Sequence, residues 1–334
     1  MFAGFVLLLA SVNPSEFQSN HRLGEFYLGQ HNFVRALPYL EKAYSADPAD
    51  YVNAFDLATL YLQLKKNSQA RAIVTDLLGK EDRAELHNLL ADIEEADGHV
   101  DEAARQYEIA ARLDPTEKNL FDLGSELLNH RGFEPALKVF VYAAGQYPKS
   151  VRVRVGLGVA HYSLGQYDEA VAALCGAVDL DPKDTKAYDF LGKMYDISPQ
   201  YAGAVSTRLA HFAETYPTSA AANYYYALSL RRRTLGGSTA NAAAAEPFLR
   251  KAVRNDPAFT AAHYELGLLC EDLGAATEAI QQYQIAIRQE PNLEKAHYRL
   301  ARLYAKAGDA AKARQEFAIV DKLKKTQQTE IIEK

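Results

Sequence analysis

Residues 151–184 read VRVRVGLGVAHYSLGQYDEAVAALCGAVDLDPKD. Leu157, Gly158 and His161 fall at helical spacing, Gly165 interrupts the pattern, and Ala170, Leu174 and Ala177 resume it before Asp181-Pro182. The order is helix, turn, helix, turn. Ala170, Leu174 and Ala177 form an i, i+4, i+7 stripe on the second helix, and the missing side chain at Gly158 lets that stripe approach the first helix closely.

The same arrangement recurs along the chain. A small residue stands at Gly24, Ala58, Ala91, Gly124, Gly158, Gly192, Ala227, Gly267 and Ala301, at spacings of 34, 33, 33, 34, 34, 35, 40 and 34. A second series, Ala36, Ala70, Ala103, Ala136, Ala170, Ala204, Ala245, Ala279 and Ala313, follows it in phase. Two tracks in register mean a tandem array in which each unit buries its apolar face only against its neighbours. Pro48, Pro115, Pro148, Pro182, Pro217, Pro257 and Pro291 end second helices, since proline lacks the N–H and restricts the residue before it. Gly98, Gly165, Gly274 and Gly308 mark the turn inside a unit, where a left-handed conformation is needed. Period-2 alternation is absent, so the fold expected is all-α.

These residues resemble the tetratricopeptide repeat family. Its pattern of a large residue, Leu-Gly, Tyr, Ala, an aromatic, Ala and Pro stands here as Tyr188, Leu191, Gly192, Tyr195, and again as His263, Leu266, Gly267, Ala279, Tyr283, Ala286, Pro291. The resemblance implies a right-handed superhelical solenoid of antiparallel helix pairs. Its repeats are expected to begin near Phe17, Tyr51, Ala84, Glu117, Val151, Thr185, Ala220, Thr260 and Glu294. Two repeats depart from the pattern. The second has no terminal proline and runs through Gly79-Lys80-Glu81-Asp82, and the seventh carries a lengthened turn within Arg231–Asn241. The organisation expected is an apolar segment at 1–15, about nine repeats over 16–325, and a polar tail at 326–334.

Charge and motif content exclude several function classes. The net charge of −6 argues against nucleic acid as the ligand. Residues 295–334 carry +5, leaving −11 for residues 1–294, so an acidic body ends in a basic segment. His87, His263 and His297 occupy the fourth repeat position, where the family places a large packing residue, and His161 stands where it places Tyr. They read as packing groups, and C-x-x-C, H-E-x-x-H and calcium-loop patterns are absent. Cys175 and Cys270 are almost three repeats apart and read as small apolar groups. Gly236-Gly237-Ser238-Thr239 shares only composition with a phosphate loop and reads as a mobile turn. No catalytic residue, cofactor or metal is expected.

In the family, first helices line a concave wall that holds a peptide or partner helix. With the fourth, seventh, eighth and eleventh positions used for packing, the fifth, ninth and twelfth share an adjacent face. The fifth position gives His21, Phe55, Asn88, Phe121, Val155, Asp189, Tyr224, Tyr264 and Tyr298. The last three are expected to stack as an aromatic ladder, with Arg231, Lys295, Arg299 and Arg302 beside them. Tyr and Arg are enriched at binding hot spots, so this end is the expected partner groove, with acidic segments as its favoured ligand. Lys295 and Arg299 reproduce the last pair of the family's carboxylate clamp, but Tyr224, Leu228 and Glu265 replace its Lys and two Asn.

The expected function is a non-catalytic protein-interaction scaffold. Two alternatives remain open: an exported or membrane-associated assembly factor for pilus, secretion or envelope construction, and the non-catalytic arm of a multi-component enzyme. The apolar run Phe2–Val12 before Asn13-Pro14 fits the core of a secretory signal, although basic residues do not precede it; its other reading is a helix capping the first repeat. Export to the periplasm or envelope is the expectation. Mass measurement of protein from its own host should find the run removed; an intact N-terminus in the cytosol leaves the capping helix.

Overall fold

The computed structural model describes residues 14–232 and 239–332. The apolar run and the Gly236-Gly237 turn fall outside the described residues. Among those residues every regular element is helical, and no helix is long and apolar enough to cross a membrane. The chain forms two compact units, Met1–Pro148 and Lys149–Lys334.

The first unit holds four helix pairs: α1 (Pro14–Gly29) with α2 (Phe33–Ala46), α3 (Tyr51–Gln63) with α4 (Asn67–Leu78), α5 (Ala84–Ala96) with α6 (Val100–Leu113), and α7 (Glu117–Asn129) with α8 (Phe133–Gln146). The second holds α9 (Val151–Ser163), α10 (Tyr167–Leu180), α11 (Thr185–Lys193), α12 (Ala202–Thr215), α13 (Ala220–Arg232), α14 (Thr239–Asn255), α15 (Thr260–Asp272), α16 (Ala276–Gln289), α17 (Glu294–Lys306) and α18 (Ala310–Ile332). From the second repeat onward each first helix begins at the residue read from the sequence. The first begins at Pro14, and α18 carries the backbone of the expected tail on to Ile332.

Local chemistry sets these boundaries. Asp50, Thr116, Ser150 and Asp184 cap first helices by accepting from the backbone N–H groups of Asn53, Asn119, Val153 and Ala187. Inside the units, Gly98, Gly165, Gly274 and Gly308 take φ between 73° and 80°. The equivalent turns of other repeats place His31, Lys65 and Arg131 at φ 54° to 60°, which costs those side-chain-bearing residues about 1 kcal/mol each.

Packing depends on the eighth position. A Cβ added at Gly158 would lie 2.8 Å from Leu174 Cγ and 3.2 Å from the Ala170 carbonyl oxygen, and one added at Gly124 would lie 2.7 Å from the Phe140 ring. Ala58, Ala91, Ala227 and Ala301 are fully buried at the same position. Gly158→Leu should therefore overpack the pair α9/α10 and destabilise the second unit by about 1–3 kcal/mol, read from denaturant unfolding. Unchanged unfolding would contradict this register.

Buried polar side chains tie consecutive repeats. His263 spans the Pro257 carbonyl oxygen at 3.1 Å and Gln282 at 2.7 Å; His297 spans the Pro291 carbonyl oxygen at 2.9 Å and Glu316 at 2.6 Å. His87 lies between Asp82 and Gln106. Asn223 donates to the carbonyl oxygens of Pro217 and Ser219.

The sixth repeat is irregular in a way the sequence reading did not anticipate. α11 stops at Lys193, and a 3-10 turn, Pro199–Tyr201, precedes α12. Pro199 holds Ser198 in an extended conformation, five residues beyond the end of α11. A Cβ at Gly192 would accordingly meet the Tyr225 ring of α13, and Tyr188 stacks on Phe212 at 4.4 Å.

In the second repeat α4 ends at Leu78 without a proline, and a charge network bridges to α5. Arg71 donates to Glu94 at 2.8 Å and to Asp97 at 2.7 Å, and Glu94, almost fully shielded from solvent, also meets His99. Hydrogen bonding from Arg71 holds the Glu94 carboxyl below its ordinary range. A depressed carboxyl contributes stability above its unfolded-state pKa and loses it as pH falls through the folded value. Glu94→Gln should destabilise the first unit by about 1–3 kcal/mol at neutral pH, with the difference from wild type closing in acid. A pH-independent difference in denaturant unfolding would contradict the assignment.

Candidate binding grooves

The seven residues expected to form the partner groove all lie in the second unit, and their surroundings differ from that expectation. Tyr224 packs against Tyr225 and Phe259, with ring centroids 5.5 and 4.9 Å away, and burial pushes its phenol up. Tyr264 is only 8 % exposed and packs against Tyr283 at 5.7 Å. Tyr298, 43 % exposed, has Phe317 at 6.2 Å. Each of the three rings thus has an aromatic partner of its own.

The cations divide in the same manner. Arg231 is paired with Glu265 and, at 3.0 Å, with Asp272. Arg299 faces Glu271 at 3.9 Å, and Lys295 Nζ lies 4.3 Å from the Tyr264 ring centre. Arg302 sits over Tyr298 at 5.9 Å and lines a small depression with Glu271, Leu303 and Lys306. Of the seven, Lys295, Tyr298 and Arg302 are the exposed ones. Arg231 is neutralised within the chain.

The first unit contains a larger recess. First helices α3, α5 and α7 wall a cavity of about 300 Å³, lined by Phe55 and Thr59, by Asn88 and Asp92, and by Lys118 and Asn119. Phe55 and Asn88 are fifth-position residues, Thr59 and Asp92 ninth-position ones, so the family geometry is realised here with polar groups. Asn88 Nδ2 donates to Asn119 Oδ1 at 2.7 Å, and Asn119 Nδ2 donates to the Asp114 carbonyl oxygen at 2.6 Å. Tyr107 donates to Asp92 at 2.5 Å, and Lys118 is paired with Asp122 at 2.6 Å. One group remains: Asn88 Oδ1 is buried and meets no donor from the protein. Asp92 keeps its solvent contact, and Glu85 lies on the rim. The recess is acidic and rich in acceptors.

Sequence reasoning passed over this recess. The fifth-position series contained Phe55 and Asn88, but hot-spot enrichment in Tyr and Arg weighted the other end of the chain. The usable signal was the run of fifth- and ninth-position residues that mixes one aromatic with polar groups across two successive repeats, Phe55 and Thr59 followed by Asn88 and Asp92.

A family model described as tetratricopeptide repeat matches residues 27–93, and a second of the same description matches residues 121–185 and 238–294. Together they span more than half of the chain. A search of curated proteins finds no match. Among solved structures, the C-terminal part of a TPR repeat-containing protein from Cytophaga hutchinsonii superposes with a TM-score of 0.53 at 16% identity, covering 84% of this chain and 99% of that one. A tetratricopeptide repeat protein from Parabacteroides merdae gives 0.50 at 17% identity, covering 76% and 99%. Pseudomonas aeruginosa pilF gives 0.50 at 16% identity, covering 64% and 98%. At these identities the likeness shows the fold alone.

Proposed function

Because this chain belongs to the tetratricopeptide repeat family, we propose that it is a non-catalytic interaction scaffold whose first unit holds a segment of a partner protein between α3, α5 and α7. The observation that carries this reading is Asn88. Its amide nitrogen is committed to Asn119, while its buried Oδ1 meets no donor within the chain. A buried acceptor without a partner costs about 1–3 kcal/mol, a penalty that a bound N–H removes. A recess of about 300 Å³ is at the small end of ligand sites and suits one or two side chains together with a stretch of backbone. With Asp92 and Glu85 at its edge, the favoured ligand is an extended segment offering backbone amides and Lys or Arg.

Lys295, Tyr298 and Arg302 support an accessory contact in the second unit for acidic segments, in keeping with the basic end of the chain. The apolar run at residues 2–12 supports a setting in the cell envelope for the same scaffold.

Thr59→Arg fills the recess while leaving the Asn88–Asn119 and Asn119–Asp114 bonds in place. In a crosslinking pull-down from native cells, partners recovered with the wild type should be depleted with a Thr59→Arg protein of unchanged helicity. Full recovery with that variant would place the binding surface elsewhere. If the depletion appears instead with Arg302→Glu, the second unit is the principal site.

A further inference from the structure

We propose that His21, Glu25 and Asp56, in the first unit, form a binding site for a divalent transition cation of the zinc class. The site is independent of the recess between α3, α5 and α7. His21 and Glu25 are four residues apart on α1 and so share one face of that helix, while Asp56 comes from α3 in the following repeat. His21 Nε2 lies 3.9 Å from Glu25 Oε1 and 3.9 Å from Asp56 Oδ2, and the three atoms all fall within 4.8 Å of one another.

Two features distinguish this cluster from an ordinary acidic surface. First, His21 Nε2 is buried and has no hydrogen-bond partner in the protein, although it faces both carboxylates. Its ring is held from one side by Phe17, with centroids 5.6 Å apart. Second, among the described residues the ion pairs of Glu25 and Asp56 run to His21 and none runs to a Lys or Arg. A divalent cation would offset the two carboxylates and engage the free imidazole nitrogen in one step.

Zinc binds imidazole nitrogen and carboxylate oxygen at about 2.0–2.2 Å, so a centre among these atoms needs the ligands to close by less than about 1 Å each. Glu25 is exposed and able to make that movement by rotation of its side chain. One nitrogen among the donors favours zinc-class cations over magnesium or calcium, which take oxygen ligands. Three protein ligands leave a position for water or for a donor from a partner. A cation held here links α1 to α3 and so fastens the first repeat to the second.

The test is isothermal titration of the full chain, free of any affinity tag and stripped with chelator, with zinc chloride and separately with magnesium chloride. Wild type should bind zinc, and His21→Gln and Asp56→Asn should each weaken that binding at least about tenfold with circular dichroism unchanged. Magnesium should bind at least about tenfold more weakly than zinc. His99→Gln, which removes a histidine paired with Glu94 elsewhere in the unit, should leave the affinity as in wild type. If either variant loses helicity, Glu25→Gln, at an exposed position, supplies the same reading. Absence of zinc binding by the wild type, or equal affinity in wild type and the ligand variants, would overturn the site and leave His21 as an imidazole between two carboxylates.

Discussion

The close approach of two helices at the eighth position of each repeat is the constraint on which the rest of the structure depends. Where that position is glycine in the regular repeats, the partner helix presents Leu40, Phe140, Leu174 or Tyr283, and a Cβ would collide with that side chain. The apolar stripes of the second helices therefore reach the first helices, and the resulting cores consist of residues such as Leu40, Leu57, Leu174 and Leu266 with almost no solvent contact. Each fully buried leucine contributes about 1.5–3 kcal/mol relative to leaving it exposed. Because these contacts repeat with the chain, stability is spread along the array.

Polar residues complete the joints between repeats. The fourth-position histidines His263 and His297 reach back to the carbonyl oxygens of Pro257 and Pro291 and forward to the second helix of their own pair. Such carbonyls are left without an intrahelical partner where proline ends the preceding helix, and the imidazole satisfies them. At the second repeat, where no proline stands, Arg71 and Glu94 make the joint instead.

Much of this architecture was legible in the sequence because it depends on local periodicity. Small residues, terminal prolines and turn glycines placed nearly every first helix. Features that depend on non-local partners were not legible. Arg231 reads as a free groove cation until Glu265 and Asp272, 34 and 41 residues onward, are brought beside it. Tyr264 reads as a surface aromatic until Tyr283 covers it. The early end of α11 was hidden because the alanine track stays in phase through the sixth repeat, so periodicity concealed the break. Asn88 shows the limit most clearly. Its position was known, but only the bond to Asn119, 31 residues away, reveals which of its two amide atoms remains available.

Direct contact between the eighth position and the facing second helix sets the spacing of each pair, and a double-mutant cycle in the first unit tests it. Gly124→Ala should destabilise because its Cβ meets the Phe140 ring, and Phe140→Leu should destabilise by leaving a smaller group in a buried site. Combined, the smaller leucine should relieve the clash, so the double variant should be more stable than additivity requires by at least about 0.5 kcal/mol in denaturant unfolding. Additive effects would contradict the claim that these two positions set the spacing of the pair.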